Sequence, residues 1–432
     1  MECFTVYADE IEGRIDPIYL KNKKIIENPQ TNYRLVGLGV LLKNKVQYGA
    51  NEIAKDGDPN TNIRYIRITD VDEYGNLKSD DWRTTEVIED KYVLNDEDIL
   101  FARSGATAGK CFIYKKEYGK SIFAGYLIRF VFDKSKINPK YVFYYTQLKR
   151  YQLWVKSIQR PSGQPNINAE EFKSFRIPLP SLEVQNKIIK LMDKAYSQKK
   201  QKESEAHQLL DSINDYVLDE LGIKLPELKE SMCFVVNSDN IKQGRIDPNN
   251  FLHPQDTANS NKFKEKTLNE VASLVKGQSI TKENITSGDY PVIAGGQTSP
   301  YTIDKFNHNG DVITVSASGA YSGYVWYHKN HIFASDCTVI KSLDNNVCST
   351  FYLYFVMKVK QRFIYNMQQG AGQPHVYSRE LSNLKIPLPT LAVQNKIAEE
   401  VKKRMQKAEQ LQKEAKEELE KAKQEVEKII LG

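Results

Sequence analysis

Histidine and cysteine are scarce in this chain, 6 and 5 among 432 residues. The histidines are His207, His253, His308, His328, His331 and His375, so nothing before residue 207 can use an imidazole base. The cysteines Cys3, Cys111, Cys233, Cys337 and Cys348 are scattered and form no C-x-x-C pair. Neither a zinc knuckle nor a disulfide framework is expected from them, and a reducing, cytoplasmic setting fits best. Long apolar runs are also missing. No stretch approaches the roughly 18 uncharged apolar residues of a membrane span, and Met1 to Thr5 lack a basic segment leading into an apolar core, which argues against secretion. There is no P-loop, G-x-G-x-x-G, H-E-x-x-H or N-P-P-Y motif. Asp247-Pro248-Asn249-Asn250 approaches the last, but Asp16-Pro17-Ile18-Tyr19 does not keep it. Ser104-Gly105 and Ser318-Gly319 sit in no G-x-S-x-G elbow. Intrinsic catalysis and a bound cofactor or metal are therefore not expected. The net charge of +6 is modest and permits a nucleic-acid face without requiring one.

What the chain has instead is repetition. Arg176-Ile177-Pro178-Leu179-Pro180-Ser181-Leu182-Glu183-Val184-Gln185-Asn186-Lys187-Ile188 returns, 209 residues later, as Lys385-Ile386-Pro387-Leu388-Pro389-Thr390-Leu391-Ala392-Val393-Gln394-Asn395-Lys396-Ile397. Gly13 to Pro17 matches Gly244 to Pro248, and the Ser104-Gly105-Ala106 and Ser318-Gly319-Ala320 turns correspond, with Gly109 opposite Gly323. A period above 200 residues means duplication of a whole module rather than a solenoid. Within each module short strands are predicted at 64–68, 99–102, 111–114, 290–293, 312–315 and 324–327, and helices at 139–156 and 349–366.

Each repeated block then opens a charged helical stretch. Prolines 178, 180, 387 and 389 impose an extended approach, and Ser181 and Thr390 are placed to cap the helices they precede. In the second stretch Ile397, Val401, Met405, Ala408, Leu411, Ala415, Leu419, Ala422, Val426 and Ile429 recur at gaps of three or four. A helix over 391–430 would span about 60 Å. The first stretch carries Ile188, Met192, Ala195, Ala206, Leu209, Ile213 and Tyr216 on one face, interrupted by Lys199 and Lys202. A long isolated helix gains too little from propensity to be rigid, so each needs a partner. The expected architecture is a duplicated mixed α/β (α+β) module, the copies separated by two long helices that form an antiparallel coiled coil. Helix packing is assigned to Ile188, Met192, Leu209, Ile213, Ile397, Val401, Leu411 and Leu419.

This organisation resembles the DNA specificity subunits of type I restriction-modification systems. The element P-L-P-x-L-x-x-Q-x-K-I stands at Pro178 to Ile188 and Pro387 to Ile397, and Gly163-Gln164-Pro165-Asn166-Ile167 and Gly372-Gln373-Pro374-His375-Val376 resemble the family's loop just before it. The family commonly has other residues at Ser181 or Thr390 and at Val184 or Val393. The resemblance covers essentially the whole chain. It implies target recognition domains at 1–180 and 231–389, a central helical spacer at 181–230 and a second helix at 390–432. It further implies binding of double-stranded DNA at a bipartite asymmetric site, docking of two methyltransferase subunits, and restriction-translocase subunits joining them. S-adenosylmethionine, ATP and magnesium would serve those partners, and no membrane is implied.

Lys and Arg neutralise phosphates, while Arg, Lys, Asn and Gln read base edges. In the first module Lys43, Lys45, Gln47, Tyr48, Arg67, Thr69, Arg103, Lys110, Arg160 and Gln164 are candidate contacts. In the second they are Lys276, Gln278, Lys282, Gln297, Thr298, Ser316, Ser318, Tyr321, Gln369 and Gln373. Gln164 and Gln373 have two open readings, contact with DNA or anchoring of their loop against the helix base. Two other functions compete with this one: a non-enzymatic interaction scaffold built on a coiled-coil rod, and the specificity module of a different restriction architecture.

Overall fold

The computed structural model describes residues 20–22, 26, 29–72, 75–78, 81–158, 165–225, 260–281, 286–299, 301–370 and 372–431. The chain divides into two compact units, Met1–Lys202 with Lys413–Gly432, and Glu203–Gln412.

In the first unit a four-stranded antiparallel sheet runs in the order Gln47–Tyr48, Leu127–Phe130, Ile99–Ala102, Cys111–Ile113. Apart from the edge strand Gln47–Tyr48, its strands read as near-continuous apolar runs because both faces are covered. Ile99, Phe101, Cys111, Ile113, Ile128 and Phe130 point into the larger core, while Leu100, Ala102, Phe112 and Leu127 point into a second one, the period-two alternation of a pleated strand. The second unit repeats the plan with Ala272–Lys276, Cys337–Ser342, Val312–Ser316 and Val325–His328. Each unit adds a parallel pair, Arg64–Ile66 with Ser121–Phe123 in one and Tyr290–Ile293 with Phe333–Ala334 in the other. Each also carries a separate antiparallel pair, Leu35–Gly37 with Arg176–Pro178 and Glu265–Thr267 with Lys385–Pro387. The prolines end these pairs, having no N–H to extend a ladder.

Several boundaries differ from the sequence expectation. The helix expected over 139–156 is two, Pro139–Tyr145 and Lys149–Ile158. Thr146 closes the first by donating its hydroxyl to the Phe143 carbonyl at 2.6 Å, a local bond that competes with the helical ladder. The helix expected over 349–366 is likewise Thr350–Val359 and Gln361–Asn366, broken at Lys360. The strand expected over 64–68 stops at Ile66, because Asp70 accepts the Arg67 backbone N–H at 2.8 Å and draws the chain into a 3-10 turn.

The two long helices are Leu182–Leu221 and Leu391–Leu431. In the first unit Ile188, Met192 and Ala195 share a core with Leu419, Ala422, Val426 and Ile430. Lys202 reaches Glu414 at 2.7 Å and Glu418 at 2.8 Å. In the second unit Ala206 packs with Ala408 and Leu411 and half-buried Leu209. Arg404 donates to the Ser212 carbonyl at 2.9 Å, and Lys396 meets Glu220 at 3.0 Å. Val217, Leu221 and half-buried Ile213 close on Ile397 and Val401. Rising numbers on one helix meet falling numbers on the other, so the pair is antiparallel. Full burial of side chains such as Ile188, Met192, Ile397 and Val401 contributes about 1.5–3 kcal/mol each, far above what partly exposed ion pairs supply.

The helix faces differ from expectation at four places. Met405 is 41% exposed, and Arg404 turns inward instead, its guanidinium 4.6 Å from the Tyr216 ring centre. The facing surface offers an aromatic ring and an open carbonyl, which a guanidinium satisfies together and a thioether does not. Ile430 is buried where Ile429 was expected, and Val217 where Tyr216 was. Lys199 does not interrupt the face from outside; it is itself buried.

Candidate nucleic-acid interface

The repeated block builds the same buried frame in both units. Gln185 and Gln394 are fully buried. The Gln185 carboxamide accepts from the Asn138 backbone N–H at 2.8 Å and donates to the Pro180 carbonyl at 2.9 Å. Gln394 accepts from the Ser349 N–H at 3.1 Å and donates to the carbonyls of Val347 at 2.9 Å and Pro389 at 3.0 Å. Asn138 and Ser349 are themselves N-caps, of helices Pro139–Tyr145 and Thr350–Val359. Each glutamine therefore ties a helix of its own unit to the start of a long helix. Tyr141 and Tyr352 donate their hydroxyls to the carbonyls of Pro178 and Pro387, at 2.8 and 2.7 Å. Buried Arg150 and Lys360 donate to the carbonyls of Arg176 and Lys385, at 2.7 and 2.8 Å.

Above this frame two separate motifs meet. The amide of Gly105 donates to the Pro165 carbonyl and that of Gly319 to the Pro374 carbonyl, both at 3.0 Å. Returning bonds run from Ile167 to Arg103 at 2.8 Å and from Val376 to Ala317 at 3.0 Å. The Ser-Gly-Ala turn and the Gln-Pro loop thus form one junction in each copy, with Gly105 and Gly319 at φ of 79° and 87°, where glycine carries no steric penalty. A glycine loop lies against the same edge: Gly49 donates to the Leu127 carbonyl at 3.2 Å and Gly277 to that of Cys337 at 2.8 Å. A β-carbon on Gly49 would stand 2.3 Å from the Ala124 carbonyl oxygen, and one on Gly277 2.1 Å from that of Ser335, so both backbones approach too closely for any side chain.

Of the first module's candidates, Tyr48 and Arg103 are brought together at this junction. The Arg103 guanidinium lies 5.0 Å from the exposed Tyr48 ring, a cation–π arrangement, and pairs with no carboxylate among the described residues. Lys43 and Lys45 are exposed on the preceding loop. Others are occupied elsewhere. Gln47 donates to the Lys91 carbonyl at 2.9 Å and accepts from Arg129. Arg67 is clamped by Asp70 and, at 2.6 Å, by Asp81, and the hydrogen bond to Asp70 contributes most to raising its pKa. Exposed Thr69 lies beside the same Asp70, and Lys110 donates to the Val71 carbonyl. Arg160 and Gln164 fall outside the described residues, as does Lys282.

In the second module Lys276, Gln278, Gln297, Thr298, Tyr321 and Gln373 are exposed. Gln373 makes no side-chain hydrogen bond among the described residues. Ser316 is buried and donates to Ala294 and Gly296 carbonyls at 3.4 and 3.3 Å. Gln369 is spent on Glu380 at 2.8 Å. Ser318 donates its hydroxyl to Asp336. Sequence reasoning missed Tyr126 and Asp336, which face Arg103 and Ala317 across matched backbone bonds of 2.9 and 3.1 Å. A signal was present: Phe123-Ala124 and Phe333-Ala334 precede them at the same distance.

Among the described residues no group of three or more His, Cys, Asp or Glu could hold a metal ion, and no helix is long and apolar enough to cross a membrane. Burial pushes the thiols of Cys111, Cys337 and Cys348 up to about 12, leaving them protonated at neutral pH.

The type I restriction modification DNA specificity domain matches residues 45–210 and again 260–421, well over half of the chain. The chain belongs to this family. Its relatives include a putative type I specificity subunit of Mycoplasma pneumoniae, 23% identical over 248 residues, 54% of this chain and 77% of that protein. Another is the specificity subunit of a type I restriction enzyme from the same organism, 27% identical over 144 residues, 32% of this chain and 42% of that protein. A chain solved in work on complex assembly and conformational transition of the type I system shares the fold, at 15% identity and a TM-score of 0.54, over 92% of this chain and 96% of that one. As a type I specificity subunit, the chain directs sequence recognition for methylation and restriction and is not the catalytic component. Both family matches take in the frame glutamine's module and the junction above it.

Proposed function

We propose that the junction of each module reads one half of an interrupted, asymmetric double-stranded DNA site. The observation that carries this reading is that one backbone junction is built twice on one buried frame, while the side chains it displays differ: Tyr48, Arg103 and Tyr126 in one copy, Lys276, Ala317 and Asp336 in the other. Identical scaffolds with unlike displays suit two unlike target blocks. Lys43, Lys45 and Lys276 would neutralise phosphates, and Arg103, Gln278, Gln297 and Gln373 would reach base edges.

On this reading 1–180 and 231–389 are the recognition domains, and the helices of 181–230 and 390–432 set the gap between half-sites and dock two methyltransferase subunits. Restriction-translocase subunits join that core. S-adenosylmethionine belongs to the methyltransferase, and ATP and magnesium to the restriction subunit, within a prokaryotic cytoplasm. Methylome sequencing of a host carrying only this subunit and its methyltransferase tests the proposal. One motif with two defined blocks and a fixed gap is expected; a continuous palindrome would overturn it.

A further inference from the structure

We infer that the two junctions read opposite hydrogen-bond polarities, Arg103 donating to a guanine in one half-site and Asp336 accepting from the exocyclic amine of a cytosine or adenine in the other. This rests on the reading of the junctions as the DNA-facing surfaces.

The two residues occupy opposite ends of one structural rung. In the first module the Arg103 N–H donates to the Tyr126 carbonyl; in the second the Ala317 N–H donates to the Asp336 carbonyl. Where the first module has a cation on the turn side and an aromatic opposite, the second has alanine and a carboxylate. Neither charge is paired among the described residues, whereas Arg67, close to the first junction, is neutralised by Asp70 and Asp81.

Asp336 differs from the turn-forming aspartates of the chain. Asp70, Asp72, Asp98, Asp133 and Asp344 each accept a backbone N–H in their own turn. The Asp336 carboxylate accepts no backbone N–H among the described residues; its partner is the Ser318 hydroxyl. That bond engages Oδ2 and holds the side chain, leaving Oδ1 with open acceptor capacity. No side chain at position 295 can cover it, because a β-carbon on Gly295 would lie 2.5 Å from the Ser318 carbonyl oxygen, and 3.4 Å from Asp336 Oδ2. A carboxylate facing a duplex is repelled by phosphates, so the backbone cannot be its ligand. The groove groups that suit it are donors, the N4 amine of cytosine or the N6 amine of adenine. Arg103, its guanidinium backed by the Tyr48 ring and paired with no carboxylate among the described residues, suits the paired O6 and N7 acceptors of guanine.

The test uses the subunit assembled with its methyltransferase, on duplexes substituted base by base through both blocks. Asp336→Ala is expected to lower discrimination for cytosine or adenine at one position of one block by roughly 10- to 100-fold, leaving the other block unchanged. Arg103→Ala should relax a guanine in that other block. The cytosine and adenine arms at the Asp336 position identify which amine is read. Ser318→Ala keeps the carboxylate but frees its rotamer, and should give a smaller loss at the same position. The inference is overturned if Asp336→Ala weakens all duplexes equally, leaves base preference intact, or alters the block that Arg103 controls. If the wild-type complex shows no two-block site, it is the DNA-facing reading that fails instead.

Discussion

Replacing Gln394 by alanine should destabilise the second unit out of proportion to the atoms removed. The carboxamide is fully buried and makes three hydrogen bonds, one accepted from the Ser349 N–H and two donated to the carbonyls of Val347 and Pro389. Truncation leaves the part-buried Ser349 N–H without its partner, at about 1–3 kcal/mol for an unsatisfied donor. The two carbonyls are left under-satisfied, and the lost stem opens a cavity that adds about 1 kcal/mol or more. Together these amount to about 3–4 kcal/mol. For a unit of this size each kcal/mol moves the melting temperature by roughly 2–4 °C, so a drop of about 6–16 °C is expected. Gln394→Glu should not rescue it, because a carboxylate cannot donate to two carbonyls and is costly to bury. Hydrogen exchange adds a local readout: protection of helix Thr350–Val359 should fall, since its N-cap residue loses the bond to Gln394. A melting shift below about 2 °C with unchanged exchange in that helix would refute the claim that this glutamine fastens its module to the long helix Leu391–Leu431.

Leu411→Asp should loosen the helix pair: Leu411 is 6% exposed against Ala206 and Ala408, and burying a carboxylate there while losing the isobutyl group costs about 4 kcal/mol or more. Thermal melting checks it, and an unchanged midpoint would contradict the packing. His328 is buried beside the Thr314 hydroxyl at 2.8 Å, and burial depresses its pKa from 6.5 to about 4. The unfolded chain therefore binds this proton first as pH falls. The contribution is full above pH 6.5, is lost progressively towards pH 4, and amounts to about 3 kcal/mol. Denaturant unfolding between pH 6.5 and 5 should show this slope in the wild type and a flatter one in His328→Gln; parallel slopes would dismiss it.

The parts of this molecule that were legible in advance are those governed by local periodicity or by repetition. Ile188, Met192, Ile397 and Val401 announce a buried face through spacing alone, and Gly105 and Gly319 announce a turn through residue type. The failures have a common physical origin in partners distant along the chain. Nothing near Met405 says that residue 404 will face a tyrosine ring and an open carbonyl contributed from the Tyr216 and Ser212 turns. Likewise Arg67 reads as a free cation until Asp81 arrives from another loop, and Gln47 until Arg129 takes its oxygen. Gln185 and Gln394 were visible as matched letters, but polar residues opening a charged helix look solvated. Only the fold shows that both are interior.

The division of labour within each module explains how one framework can carry two unlike displays. The bonds that join turn to loop are, among the described residues, between backbone groups: Gly105 to Pro165 and Ile167 to Arg103 in one copy, Gly319 to Pro374 and Val376 to Ala317 in the other. A side chain mounted there can change without removing a bond that shapes the loop. Below it the reverse holds. Gln394, Tyr352 and Lys360 each spend their polar atoms on particular carbonyls or amides in a buried setting, where a missing partner is costly. Arg103 and Ala317, one a stacked cation and the other a methyl group, sit on the same rung with equivalent backbone bonds of 2.9 and 3.1 Å. Substitution at the rung should therefore alter what is bound while leaving the melting temperature nearly still, and substitution in the frame should do the opposite.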